Sequence, residues 1–146
     1  MADAEARGLA IELTQSPRAT SLEDAAEKLG VHPSAIVKTL VVKKHGGDFL
    51  LALIPGDKQI AWKKLREVVG VNKLQLPEAS VALDATGYER GTITPLGALG
   101  EWPVYADASI VGKRISLGAG EHGWGAWVEA DDLITSYSAT VADIAD

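Results

Sequence analysis

A mixed α/β fold is what this sequence predicts, and three observations carry the prediction. Segments with strand character alternate along the chain with segments of helical spacing. Two neighbouring strand segments, Thr39–Val42 and Phe49–Ile54, are almost continuously apolar, which implies burial on both faces. The 146 residues, 47% of them hydrophobic, match one domain able to bury about 70% of its unfolded surface. Residues 1–146 are therefore expected to form a single folding unit, with no repeat or linker-like tract to divide them.

Each element has a local reason. Ser21 is a candidate N-cap with Asp24 three residues on, and Leu22, Ala25, Ala26 and Leu29 share one face of a helix ending at Gly30. His32-Pro33 opens a short helical turn, since proline's fixed φ suits a first helical position. The strand Thr39–Val42 follows directly, so Lys38 is expected at a helix-to-strand junction. His45-Gly46-Gly47-Asp48 reads as a hairpin turn, and Pro55-Gly56 closes the second strand.

Strands that are apolar on both faces need cover, and helices are expected to supply it. In Ala61–Val69, Trp62, Leu65, Val68 and Val69 are spaced for one face while Lys63, Lys64, Arg66 and Glu67 point away, and Gly70 stops the helix. Another helix is expected from Glu78 to about Thr86, capped by Gly87. Short strands at Val104–Ala106, Arg114–Leu117 and Ala126–Val128 and a last helix at Ala130–Tyr137 complete the alternation.

Composition excludes several function classes. With no cysteine there is no disulfide, thiolate metal site or thiol nucleophile. The net charge of −6 argues against a polybasic DNA binder held by phosphate neutralisation. The charge is uneven, however: Lys38 to Arg114 hold eleven Lys+Arg against eight Asp+Glu, and the flanks three against twelve. An anion would dock in the middle; solvated surface variation is the plainer reading of the same counts. The apolar run Phe49–Pro55 reaches seven residues, far from the roughly 20 of a membrane helix. The acidic start Met1-Ala2-Asp3-Ala4-Glu5 resembles no signal or transit peptide, and a cytoplasmic location without membrane contact is expected.

Three places can carry chemistry. Gly91-Thr92-Ile93-Thr94-Pro95-Leu96-Gly97 has glycines at both ends and a rigid proline between, so it can present backbone amides to an oxyanion or phosphate, or simply turn the chain. Lys38 sits between Ile36-Val37 and Leu40-Val41-Val42; an ammonium there must snorkel, pair with a carboxylate or meet an anionic ligand. Gly118-Ala119-Gly120-Glu121-His122-Gly123-Trp124-Gly125 is flexible backbone able to rim a site, with His122 either a proton donor or an ordinary surface residue. The three histidines show no paired-ligand spacing, so no metal or other cofactor is expected, and no Gly-x-Ser-x-Gly elbow supports a serine hydrolase. Of the four tryptophans, Trp102 and Trp124 are the pair expected to be exposed.

Taken in order, Ala25-Ala26-Glu27-Lys28-Leu29-Gly30-Val31, Ile36-Val37-Lys38-Thr39-Leu40-Val41-Val42, Thr86-Gly87-Tyr88 and the Gly91–Gly97 loop resemble the YbaK/ProX family, free-standing relatives of the editing domain of bacterial prolyl-tRNA synthetases. The resemblance runs from about Leu22 to Leu133, and the ending Val141-Ala142-Asp143-Ile144-Ala145 is similar as well. It implies a mixed, mostly antiparallel curved sheet covered by helices. It also implies hydrolysis, in trans and without a cofactor, of the ester joining a wrong small amino acid to the terminal adenosine of a tRNA. By resemblance Lys38 is the essential residue, meeting the terminal nucleotide or the scissile ester, and Thr39 follows it in YbaK-type members. The loop Gly91, Thr94, Pro95, Leu96 and Gly97 supplies amides around the aminoacyl group, with Gly97 grouped with Lys38 as catalytic. A ribose 2′-hydroxyl of the substrate helps activate water in this scheme.

Thr20, Gly118 and His122 complete the expected substrate contacts. Two departures point to a different pocket: polar Thr20 and Ser21 stand where YbaK-type proteins carry aromatics, and Gly125 stands roughly where they carry an acidic residue. The expected partners are the acceptor end of a mischarged tRNA, bearing cysteine, alanine, serine or threonine, and a synthetase such as prolyl-tRNA synthetase. Lys43, Lys44, Lys63 and Lys64 are candidates for tRNA docking on charge alone. Two other readings stay open: a non-catalytic module that binds an acceptor end or a synthetase, and a hydrolase of small esters unrelated to tRNA.

Overall fold

A computed structural model describes residues 10–15, 24, 27, 30–44, 48–86, 102–118 and 124–146. The elements among them are β1 (Glu12–Gln15), β2 (Val37–Lys44), β3 (Phe49–Pro55), α1 (Trp62–Val69), β4 (Leu74–Gln75), α2 (Ala79–Thr86), β5 (Val104–Asp107), β6 (Arg114–Gly118), β7 (Trp124–Glu129), α3 (Ala130–Tyr137) and β8 (Thr140–Ala142), with single 3-10 turns at Pro33–Ala35 and Ala108–Ile110. The predicted α/β class holds, and the strand pairing is mixed and mostly antiparallel, as expected. A five-stranded sheet runs β4-β2-β3-β5-β8, antiparallel through β3 and parallel from β3 to β8. A three-stranded antiparallel sheet runs β1-β7-β6. An isolated parallel bridge, Ile36 to Ser116, joins the two at one corner.

The apolar runs of β2 and β3 explain the layering. Alternate residues of a strand point to opposite faces, and Val37, Val41, Leu51 and Leu53 enter one buried cluster while Val42, Leu50, Ala52 and Ile54 enter another. Helices were expected to cover this sheet, and they cover only part of it. The first cluster is closed by the second sheet, through Ile115, Leu117, Ala126 and Val128, with Leu133 of α3 beside them. A sheet face is as good a cover as a helix when its own inner residues are apolar, which spacing within one strand does not reveal. The second cluster is closed by Leu65 of α1 and by Ile144 and Ala145.

Local rules account for the ends. Pro33 starts its 3-10 turn behind the N-cap His32, whose Nδ1 accepts the Ser34 N–H at 3.1 Å. Gly70 stops α1 in the left-handed region at φ 82°, a conformation that costs glycine little. Lys38 is not at a junction but is the second residue of β2, because that strand starts two residues before the expected Thr39. The helix expected at Ser21–Leu29 lies mostly outside the described residues; Asp24 and Glu27 are helical, and Gly30 has φ 71°. Among the described residues no helix is long and apolar enough to cross a membrane.

Candidate functional site

Lys38 pairs with Ile54 across the β2–β3 ladder and lies half-buried on the face shared with Leu40 and Val42. Its Nζ donates to the carbonyl oxygen of Lys58 at 3.0 Å, and no carboxylate pairs with it among the described residues. A lysine ammonium has three donors. One is committed to a neutral carbonyl, and among the described residues nothing takes the other two or answers the positive charge.

The surroundings of that ammonium come from the sheet corner. At the bridge, Ile36 and Ser116 run parallel, and Lys38 and Gly118 each lie two residues further in the same direction. Alternation places Ile36, Lys38, Ser116 and Gly118 on one continuous face. Gly118 is paired with Gly125 of β7, so this rung of the second sheet consists of two glycines and no side chain rises from it. Backbone can approach a ligand closely at such a rung. Gly125 itself is buried.

Thr39 takes the opposite face, between Val37 and Val41 and opposite Leu53. Its Oγ1 is buried and finds no hydrogen-bond partner among the described residues. The structure thus brings Lys38 and Gly118 onto one face and sends Thr39 to the other. Thr20, Gly91, Thr94, Pro95, Leu96, Gly97 and His122 lie outside the described residues.

Four further residues change the electrostatic picture. Lys64, a docking candidate on charge, bonds Asp143 at 3.0 Å and Asp146 at 2.9 Å. Hydrogen bonds that it donates to Asp146 and then to Asp143 raise its pKa above the ordinary 10.5. Its charge is already answered, which removes it from the candidates for a free cation. Asp107 is 1% exposed, and its carboxylate accepts the Ile144 N–H at 3.0 Å, the Ser109 N–H at 3.2 Å and the Ser109 hydroxyl. Trp102, expected to be exposed, is half-buried and meets Phe49 edge-on with ring centroids 5.2 Å apart. The Lys58 carbonyl was not anticipated. Its only trace in the sequence is the Pro55-Gly56 turn just before it, which reads as a strand end and not as part of a site.

The family model for the aminoacyl-tRNA editing domain matches residues 16–135. The chain belongs to the aminoacyl-tRNA editing-domain family. This editing domain is 38% identical over 88 residues to a proline–tRNA ligase of Thermosipho africanus, covering 60% of the chain and 16% of the ligase. It thus spans about a sixth of the length of that relative. Over 125 residues it is 29% identical to a protein of Enterococcus faecalis named EbsC for a proposed Cys-tRNA(Pro)/Cys-tRNA(Cys) deacylase activity, covering 85% of the chain and 76% of EbsC. The crystal structure of a proposed trans-editing enzyme for prolyl-tRNA synthetase superposes with a TM-score of 0.90 at 24% identity, covering 99% of this chain and 93% of that one. That likeness shows the fold.

Proposed function

We propose that this editing domain is an aminoacyl-tRNA deacylase that acts in trans on tRNA mischarged with a small amino acid: cysteine, alanine, serine or threonine. The observation that carries the reading is Lys38, a half-buried cation that among the described residues is answered by a neutral carbonyl and by no carboxylate. The family match and the name of the Enterococcus relative support the reaction class.

The chemistry asks little of the protein. Water adds to the acyl carbon of the ester, the bond to the ribose oxygen breaks, and the proton lost by water ends on that oxygen. The products are a free amino acid and a tRNA with its terminal hydroxyl restored. Lys38 supplies a fixed positive charge and N–H donors toward the terminal phosphate or the carbonyl oxygen as negative charge develops there. The amides of Gly91–Gly97, with Gly97 foremost, supply the remaining donors, and Thr20 and His122 line the amino acid. The reaction needs positioning more than a strong nucleophile.

Lys43 and Lys44 follow Lys38 on the same strand, the latter about 20 Å along it at the usual rise per residue. With exposed Lys63 of α1 they offer contacts to the phosphates of a single-stranded acceptor end. A synthetase such as prolyl-tRNA synthetase is the proposed source of the mischarged tRNA, in the cytoplasm. One observation favours the non-catalytic binding module instead: Gly125, opposite Gly118, brings no carboxylate to that rung.

Deacylation of labelled tRNAs carrying cysteine, alanine, serine, threonine or proline separates the two. Multiple turnovers on one or more of them, abolished in Lys38→Ala, are expected. Intact substrate at stoichiometric protein would replace the deacylase reading by the binding module.

A further inference from the structure

We infer that Lys64 is a positioning residue for Lys38, acting through the segment Asp143–Asp146 and the Lys58 carbonyl. This inference rests on the reading of Lys38 as the group that meets substrate.

A lysine side chain has four torsions, and holding its ammonium at one point requires an acceptor that does not move. The acceptor here is a main-chain carbonyl in the connection between β3 and α1. Two bonds fix that connection from the β3 side: Gly56 N–H to the Ile36 carbonyl at 2.7 Å and Lys58 N–H to the Pro55 carbonyl at 3.0 Å. On the other side, the residue after Lys58 exchanges both backbone bonds with Asp146, at 3.0 and 2.9 Å, and Ala61 N–H donates to the Ile144 carbonyl at 2.8 Å. Gln59–Ala61 and Ile144–Asp146 thus form a short antiparallel ladder directly downstream of the carbonyl that holds Lys38.

The outer strand of this ladder is fastened by two charges from different elements. Asp107 of β5 takes the Ile144 N–H at 3.0 Å. Lys64 of α1 binds the carboxylates on either side of the rung, Asp143 at 3.0 Å and Asp146 at 2.9 Å, and reaches the Ala145 carbonyl at 3.4 Å. The path from Lys64 to Lys38 therefore consists of four consecutive links: ion pair, ladder, peptide unit and carbonyl. Exposed ion pairs contribute little to global stability, so an effect of Lys64 on Lys38 can be separated from unfolding.

The test is lysine-selective isotope labelling with NMR detection of the Lys38 ammonium, assigned by its loss in Lys38→Arg. In Lys64→Met the Lys38 signal is expected to move toward that of a free, exposed lysine. Lys64→Arg, which keeps both carboxylates paired, is expected to restore it, and Lys113→Met, remote on the chain, to leave it in place. Deacylation by the same preparations is expected to show kcat lower by about tenfold in Lys64→Met with KM unchanged, the signature of a misaligned group. A folded Lys64→Met protein with an unshifted Lys38 signal would overturn the inference. If that variant does not fold, Asp146→Asn gives the same readout by breaking one of the two pairs. A wild-type protein without deacylase activity would sink the proposed function, while the NMR comparison would still decide whether Lys64 positions Lys38.

Discussion

Lys38 and Lys64 are the same side chain in opposite circumstances. Lys64 stands on a helix surface, 39% exposed, and two carboxylates answer its charge. Lys38 lies half-buried in a strand, where among the described residues the carbonyl of Lys58 answers it and no carboxylate does. An exposed, paired lysine costs little and adds little to global stability. A half-buried ammonium bonded to a carbonyl alone is better satisfied when an anion joins it. The comparison teaches that charge in the sequence does not tell a paired lysine from an unpaired one: Lys64 is tied to Asp143 and Asp146, and Lys38 to a carbonyl.

The largest effect expected from breaking this contrast is on turnover. Lys38→Ala should lower deacylation by at least about 100-fold, the scale set by removing one donor to a developing oxyanion, with the melting temperature nearly unchanged. An undiminished rate would show that the unanswered charge has no part in the reaction. The next effect is on stability. Asp107→Ala leaves the buried Ile144 N–H without its acceptor and should destabilise by about 3 kcal/mol. Calorimetry should register this as a fall of about 10 °C in Tm; a change under about 2 °C would show that the Asp143–Asp146 segment is held without Asp107.

Thr39→Val sharpens the contrast between the two faces of β2. It replaces a buried hydroxyl that has no partner by a methyl group of the same shape, so stability should rise by about 1 kcal/mol in denaturant titrations. Lower stability would mean that the hydroxyl is bonded in solution. Higher stability with slower deacylation would assign the hydroxyl to substrate.

The smallest effect concerns pH. The folded-state pKa of Lys64 is raised above 10.5 by Asp146 and Asp143. A raised pKa contributes stability that is complete below the unfolded value and is lost as pH rises through the folded one. Thermal melts from about pH 9 to about pH 12 should therefore show wild type converging on Lys64→Met at the alkaline end. Added salt should narrow the gap at every pH by screening the exposed pairs.

Much of the framework was legible in the sequence. The apolar spacing of Trp62, Leu65 and Val69 places α1, and Gly70 ends it where expected. Ala130–Tyr137 is a helix with the expected bounds. The short strands β1, β4 and β8 were not legible, because two to four residues with little alternation carry no periodic signal, and their pairing partners are distant in sequence. Of the site, the oddity of Lys38 was legible from its apolar neighbours, and Gly118 from the glycine-rich stretch it opens.

What the sequence determined by itself was the class of fold, the two strands buried on both faces and the lysine that cannot be comfortable among them. These follow from nearest-neighbour chemistry and from periods of two and 3.6 residues. Tertiary structure alone decided that a second sheet covers one face, that Gly118 shares a face with Lys38 while Thr39 does not, and that Lys64 is occupied by Asp143 and Asp146. The reason is physical: each of these facts joins residues far apart in the chain, and such contacts are selected by the packing of whole elements against one another, which no local pattern encodes.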